Sequence, residues 1–318
     1  MNARASDSQI PVVSVIVPAH NAERYLDDAL RSLRAQTLAD IEIIVVDDGS
    51  SDATRAIAMR HAADDARVGV LTRDEPSGKP SIPRNMALAA SRGRYVAFLD
   101  ADDTSVPTRL ATMVRALELT GARFGFSDKR RLYVATRELA PESTLAAANF
   151  VANAAPYMER VDGNVYLCRQ NFPAFLFTFI AVNTSAGIFD RALLAMEGTW
   201  FDESLVRFED VELWFRLAEH TRFAFVDEVL TIMRKHSTSI TATRPLETRI
   251  DGIAVRQRHL ARLRHTLSSA EIEAAERTIS DLQLHVAYAQ HCAGNAGDAR
   301  RWYRASCRTR ATPAAILG

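Results

Sequence analysis

The first half of the chain alternates short apolar runs with stretches whose apolar positions return at helical spacing. Val12 to Val17 is a β-branched run closed by Pro18, and Ile41 to Val46 is a second run closed by Asp47-Asp48-Gly49-Ser50. Such unbroken apolar runs predict strands buried on both faces. Val68 to Leu71, Tyr95 to Leu99 and Arg123 to Ser127 predict a third, a fourth and a fifth strand. Between the first two runs, Tyr25, Leu26, Ala29, Leu30 and Leu33 make one apolar helix face, with Asn21 as its candidate cap. Asp52 precedes a helix carrying Ala56, Ile57 and Met59, Arg84 to Ser91 reads as a helix, and Pro107 opens another that runs to about Leu119. Alternating strands and helices of this kind predict an α/β fold, with a mostly parallel sheet covered by helices on both faces.

Later segments are less regular. Asp128 to Tyr166 has weak periodicity and reads as a connector with short elements. Pro173 to Val182 is the longest apolar run, far short of the ~20 residues a membrane helix needs; it predicts a core segment or a wall of an acceptor pocket. Phe208 to Glu219 predicts a helix with Val211, Trp214, Leu217 and Ala218 on one side, and Phe223 to Val226 a strand. Ser237 to Pro245, rich in Ser and Thr, suggests a boundary, and the chain beyond it reads as helical. Ser268 and Glu271 have capping-box spacing. Gly294-Asn295-Ala296-Gly297 separates two helices whose pairing is like one tetratricopeptide unit, too little for a free-standing solenoid. The expected organisation is a catalytic domain over 1–243, with halves of about 10–127 and 128–243, and an all-helical extension over 244–318. The extension is expected to pack on the catalytic domain or to build a homodimer surface.

Composition narrows the function classes. Lys plus Arg and Asp plus Glu both number 39, so the charge balance gives no reason to expect nucleic acid binding. Cys168, Cys292 and Cys307 are far apart in sequence and have no metal or redox spacing; free thiols in a reducing compartment are expected. Met1 to Gln9 is polar, without a signal-peptide core. A cytoplasmic protein is expected, with peripheral contact at the inner face of a membrane left open.

The chemistry concentrates where predicted strands end. In Val96-Ala97-Phe98-Leu99-Asp100-Ala101-Asp102-Asp103, four apolar residues run into three carboxylates. In extended geometry Asp100 and Asp102 point to one face. Their repulsion raises a carboxyl pKa unless a cation sits between them. Mg²⁺ or Mn²⁺ favours oxygen ligands and often takes one or two carboxylates plus phosphate oxygens. The bland alternative is a solvated acidic turn. Ligands of parallel sheets bind beyond the carboxyl ends of strands, where Pro18–Asn21, Asp47–Asp52 and Asp100–Asp103 all fall.

Taken in order, Val13 to Asn21, Ile44 to Asp52, Pro83-Arg84-Asn85, Phe98 to Asp103, Phe208-Glu209-Asp210 and Arg234-Lys235-His236 before Ser237-Thr238-Ser239 resemble the family 2 glycosyltransferases, whose fold is called GT-A. The resemblance covers roughly Val12 to Thr241. It implies transfer of a sugar, of the hexosyltransferase type, from a nucleotide-sugar donor to an acceptor hydroxyl with inversion. Uridine diphosphate is the family's commonest leaving group, and the expected setting is cell-surface polysaccharide or glycoconjugate synthesis. The acceptor stays open among a glycan, a lipid-linked glycan and a protein.

The resemblance also implies residue roles. Asp102 would bind Mg²⁺ or Mn²⁺, with His236 as a further ligand or a diphosphate contact, while Asp100 would lie near the ribose or a metal-bound water, with Ala101 beside it. Asp103 would be a supporting group or a helix cap. Asp48 would accept a hydrogen bond from the base, and Pro18, Ala19, His20 and Asn21 would line the donor site. Arg84, with Lys79 as an alternative, would reach the diphosphate, since its fork suits phosphate oxygens. Asp210 would be the catalytic base, ionised at a helix start, with Glu209 binding substrate or serving as the fallback base. Two rivals remain: a non-catalytic nucleotide-sugar-binding scaffold, and a sugar nucleotidyltransferase, whose glycine- and lysine-rich phosphate loop is not matched by Pro18-Ala19-His20-Asn21. A dinucleotide-dependent dehydrogenase is disfavoured because no Gly-x-Gly-x-x-Gly follows the first strand.

Overall fold

A computed structural model of the protein describes residues 10–197, 200–237 and 245–310. The expectations for Met1 to Gln9, for most of the boundary between Ser237 and Pro245, and for Thr238-Ser239 lie outside the described residues.

The strands are β1 (Val13–Ala19), β2 (Ile41–Asp48), β3 (Val68–Arg73), β4 (Tyr95–Phe98), β5 (Thr104–Ser105), β6 (Phe124–Tyr133), β7 (Glu138–Leu139), β8 (Met158–Asp162), β9 (Val165–Cys168), β10 (Gly187–Asp190) and β11 (Phe223–Lys235). The helices of the first part are α1 (Leu26–Arg34), α2 (Thr54–Asp64), α3 (Ser81–Ala90), α4 (Arg109–Thr120), the short α5 (Thr144–Ala147) and α6 (Phe150–Asn153), α7 (Phe172–Thr178), α8 (Ala192–Glu197) and α9 (Glu209–His220). Three more follow: α10 (Pro245–Leu263), α11 (Ser269–Cys292) and α12 (Ala296–Thr309).

One sheet runs in the order β3-β2-β1-β4-β10-β6-β11-β9-β8, with β5 on β11 and β7 on β6. Its first four strands are parallel, as the apolar runs predict, and so is the β6–β11 pair. Strand β10 is antiparallel to both β4 and β6 and makes the sheet mixed. Alternate residues of a strand face opposite sides. Val13, Val15 and Val17 join the core beneath α1, α2 and α4, while Ile16 faces the larger core beneath α3, α7 and α9. Among the described residues, no helix is long and apolar enough to cross a membrane.

Several predicted boundaries shift for physical reasons. Strand β1 passes through Pro18, where only the β2 side is paired because the β4 ladder has ended at Ile16. Asn21 does not cap α1, whose cap position is Tyr25 without a side-chain bond; Asn21 has φ 46° and ties two loops together instead. Asp128 does not begin a connector. It lies inside β6, its carboxylate satisfied by the Ser143 hydroxyl and the Leu145 N–H. Strands β6 and β11 continue well past Ser127 and Val226, with register shifts near Val229.

The capping box at Ser268 and Glu271 is present. Helix α12 begins at Ala296, so the inter-helix turn is shorter than predicted. The C-terminal helices share the larger core: Ile253, Val255, Leu260, Ala275, Ile279 and Val286 are buried with Phe177, Trp214 and Phe215. In α10, Gly252 leaves room for the ring of Phe208, the residue just before α9. A Cβ on Gly252 would stand 2.7 Å from that ring, whereas one on Gly297 would meet nothing.

Opposite effects are therefore expected from one kind of substitution. Gly297→Ala should stabilise by about 0.5 kcal/mol through helix propensity. Gly252→Ala should destabilise by roughly 1–3 kcal/mol because overpacking against Phe208 outweighs that gain. Urea unfolding of both variants checks the pair; equal shifts would show that Phe208 does not depend on Gly252.

Candidate active site

The site forms where the carboxyl ends of β1, β2 and β4 meet the start of α9 and the end of β11. The β1–α1 and β2–α2 loops are laced together. His20 Nδ1 lies 2.7 Å from the Asp48 carbonyl oxygen. The Asn21 side-chain oxygen accepts from the Ser51 N–H at 2.9 Å, and the Asn21 N–H donates to the Ser50 hydroxyl at 3.0 Å. The Asp48 carboxylate is buried and already partnered: it accepts from the Ser77 N–H and hydroxyl, the latter at 2.6 Å, and Arg73 Nε is 2.8 Å away. A nucleotide base would compete with Ser77 for it. Lys79 is turned away, its ammonium donating to the Glu203 carbonyl at 2.6 Å.

At the end of β4 the three carboxylates take three separate partners. Asp100 accepts from Arg84 at 2.8 Å, and its N–H donates to the Ser185 hydroxyl at 3.0 Å. Asp102 stands 2.8 Å from His236 Nε2. Asp103 is buried and accepts from the Arg234 N–H and the Ser185 hydroxyl. It is a buried acceptor rather than a helix cap. Burial, then repulsion from Asp102 and Asp100, pushes the Asp103 carboxyl well above the usual range. Asp102 is raised by burial and by Asp100, against the pull of His236. Ala101, buried between them, keeps the turn tight.

Arg84 is buried rather than projecting into open space. Its guanidinium spans Asp100 and Glu209 and lies over the Phe201 ring at 5.4 Å. Burial opposes its charge, but Asp100, Glu209 and Asp210 outweigh that and hold it protonated. Three carboxylates thus share one cation. Glu209, with 4% of its surface exposed, is the one pushed up, to about 7, by burial and then by Asp210, against Arg84. Asp210 occupies the first turn of α9, not the cap position, which Phe208 holds at φ 61°. Its carboxylate accepts from the Thr184 hydroxyl at 2.7 Å and the Val211 N–H at 2.8 Å.

Thr184 and Ser185 were not singled out from the sequence, although the polar Asn183-Thr184-Ser185 interrupting an apolar stretch was an available signal. Two further cations also escaped. Arg109 is fully buried, donates to the Phe98 and Gly187 carbonyls, and is pulled down to about 10 by burial against the pull of Asp103. Lys129, near Asp103 and Asp210, is pulled down to about 8, first by burial.

Asp102 and His236 fit two adjacent positions on a hard cation. The two are hydrogen-bonded to each other at 2.8 Å, and both are groups that could hold a cation. Among the described residues no group of three or more His, Cys, Asp or Glu forms a metal cage. The pair therefore suits an ion completed by water and phosphate oxygens.

Residues 14–153 match the model of "Glycosyl transferase family 2". The chain is 32% identical over 241 residues to the glycosyltransferase EpsJ of Bacillus subtilis, covering 73% of this chain and 63% of that protein. It is 31% identical to the succinoglycan biosynthesis protein ExoO of Rhizobium meliloti, covering 66% of this chain and 56% of that protein. The chain thus spans less than two thirds of the length of these relatives. Among solved structures, S. aureus TarS 1–349 in complex with UDP-GlcNAc superposes with a TM-score of 0.67 at 20% identity, covering 92% of this chain and 79% of that one. That likeness bears out the GT-A fold.

The raised Glu209 has a signed consequence. Its carboxyl moves from 4.5 to about 7 on folding, so the stability it contributes is full below pH ~4.5 and lost as pH rises through ~7. Glu209→Gln removes this dependence. Urea titrations should show the wild type losing up to about 3 kcal/mol relative to the variant across that window. Parallel profiles would mean that Glu209 is ionised throughout.

Proposed function

Because the chain belongs to the family 2 glycosyltransferases, we propose that it transfers a sugar from a nucleoside-diphosphate sugar, a UDP-sugar, to an acceptor hydroxyl with inversion. The setting is the assembly of a cell-surface polysaccharide or glycoconjugate. The observation that carries this reading is that the buried Arg84 joins Asp100 and Glu209, the sequence neighbours of Asp102 and Asp210, while Asp102 pairs with His236 from a third, distant segment. UDP is supported by the TarS complex, a protein of the same fold. Polysaccharide assembly is supported by ExoO, a relative named for succinoglycan biosynthesis.

Asp210 is the base. The Thr184 hydroxyl and the Val211 N–H fix its carboxylate. It takes the proton of the acceptor hydroxyl as that oxygen attacks the anomeric carbon from the face opposite the leaving diphosphate. Glu209, buried against Arg84, is an anchor for the first turn of α9. A Mg²⁺ or Mn²⁺ ion held by Asp102 and His236 would offset the charge developing on the nucleoside diphosphate. Asp100 and Arg84 keep the loop that presents Asp102 in place. Pro18, Ala19, His20 and Asn21 form the rim against which the nucleoside lies, with Asp48 beneath it.

Two variants separate the roles. Asp210→Asn should keep UDP and Mn²⁺ binding in a thermal-shift assay while donor turnover falls at least a hundredfold, the scale of a positioned base. Asp102→Ala should abolish both the metal-dependent shift and turnover. Near-normal turnover in Asp210→Asn would remove that residue from the role. A wild type unmoved by any nucleoside diphosphate at millimolar concentration would count against transferase activity itself.

A further inference from the structure

A cavity of about 620 Å³ opens beside His236 at the far end of the long β6–β11 pair, and Arg24, Arg137 and Lys235 line it together with the His236 ring. That volume is in the range of small-molecule sites. Its three cations differ from those at the donor edge. Charges balance overall, and the arginines around the donor edge are paired: Arg73 with Asp48, Arg84 with Asp100 and Glu209, Arg234 with Asp28. Among the described residues Arg24, Arg137 and Lys235 have no carboxylate partner. The Arg24 guanidinium rests instead over the Tyr25 ring, at 5.3 Å.

The cationic surface continues inward. Lys129 and Arg131 occupy alternate positions of β6 and share a face. Arg131 and Lys235 lie close enough to repel the Lys129 ammonium, which is also drawn to Asp103 and Asp210. A band of five cations therefore runs from the open cavity toward Asp103 and the proposed base Asp210. Gathering Arg24, Arg137 and Lys235 without carboxylate partners costs free energy, so the arrangement is best balanced by an anion. Guanidinium forks match phosphate oxygens, and a lysine adds a mobile point charge. His236 stands between the two compartments: its Nε2 faces Asp102 and its ring borders the cavity.

We propose that this basic bay binds a phosphate or diphosphate group carried by the acceptor, so that a sugar phosphate enters from the side of His236 opposite the donor. The proposal rests on the transferase reading above and extends it to the acceptor's chemical class. Uncharged glycans would leave the cations unmatched.

The test uses the whole chain, with glucose 1-phosphate and methyl glucoside as probes, titrated by calorimetry with and without UDP and Mn²⁺. The wild type should bind glucose 1-phosphate at least tenfold more tightly than methyl glucoside under both conditions. Arg137→Gln/Lys235→Gln should lose that preference while its affinity for UDP and Mn²⁺ stays within twofold. Arg24→Gln, in a different element, should weaken the phosphate arm in the same direction, so that a local folding defect cannot mimic the result. Equal binding of the two probes to the wild type would overturn the proposal. A parallel loss of UDP affinity in the double variant would also overturn it, by giving the bay to the donor diphosphate. Loss of binding to phosphatidylglycerol vesicles with sugar phosphate binding unchanged would overturn it in favour of a membrane contact. Failure of UDP and Mn²⁺ to bind the wild type, with phosphate binding intact, would remove the donor reading and leave the bay standing.

Discussion

The site depends on one buried cation. Arg84 projects from α3 into the space between the end of β4 and the start of α9, and it is the common partner of Asp100 and Glu209. Without it, carboxylates from two remote segments would face one another in a poorly solvated pocket. Removing one partner of such a pair typically costs ~3–5 kcal/mol, because a charge is left buried and unmatched. Here one guanidinium serves both carboxylates and feels a third, Asp210. The distance between the loop presenting Asp102 and the helix presenting Asp210 is thereby fixed by an ion pair rather than by loop packing.

The C-terminal helices act on the same constraint from the other side. Helix α9 is held along its length: Arg216 pairs with Glu212 at 2.7 Å and donates to the Trp200 carbonyl, and the buried His259 of α10 stacks on Phe215 with its Nε2 3.5 Å from Glu212. Phe208, in its left-handed conformation, sits against Gly252 and beneath the Arg256 guanidinium. The angle at which the first turn of α9 enters the site is therefore set partly by residues beyond Pro245. This gives the extension a physical role in the catalytic region, whatever its oligomeric state.

What could be read in the sequence follows from how local each signal is. Strands β1, β2 and β4 were legible because strands buried on both faces must be continuously apolar, and the Asp100–Asp103 cluster stood out because its carboxylates end such a run. The Ser268–Glu271 capping box was legible because it is complete within four residues. Strand β10 was not, since its four residues follow a polar turn and its pairing with β4 and β6 is entirely non-local. The extension of β6 was hidden because Lys129-Arg130-Arg131 is a charged run without alternation, and that of β11 because Asp227-Glu228 interrupts the strand before Val229 to Met233. For the same reason the roles of Thr184, Ser185 and Arg109 emerge only once the chain is folded. Asn21 misled as a cap and Asp103 was open between cap and support, since each carries a side chain suited to capping but spends it across the fold.

The division of charge around His236 explains why a cation belongs on only one side of it. Inward, Asp100, Asp102 and Asp103 crowd the end of β4, and a diphosphate approaching them unaided would add negative charge to negative charge. A cation held by Asp102 and His236, as proposed above, would offset that charge. Outward, Arg24, Arg137 and Lys235 already present positive charge, so an anion there needs no metal. Arg234 joins the compartments mechanically: its N–H holds Asp103, its guanidinium reaches the Asp102 carbonyl and Asp28, and it lies over Tyr25, whose ring also meets His236 at 5.0 Å. His236 and one wall of the basic bay therefore hang from the same strand end, the last residues of β11.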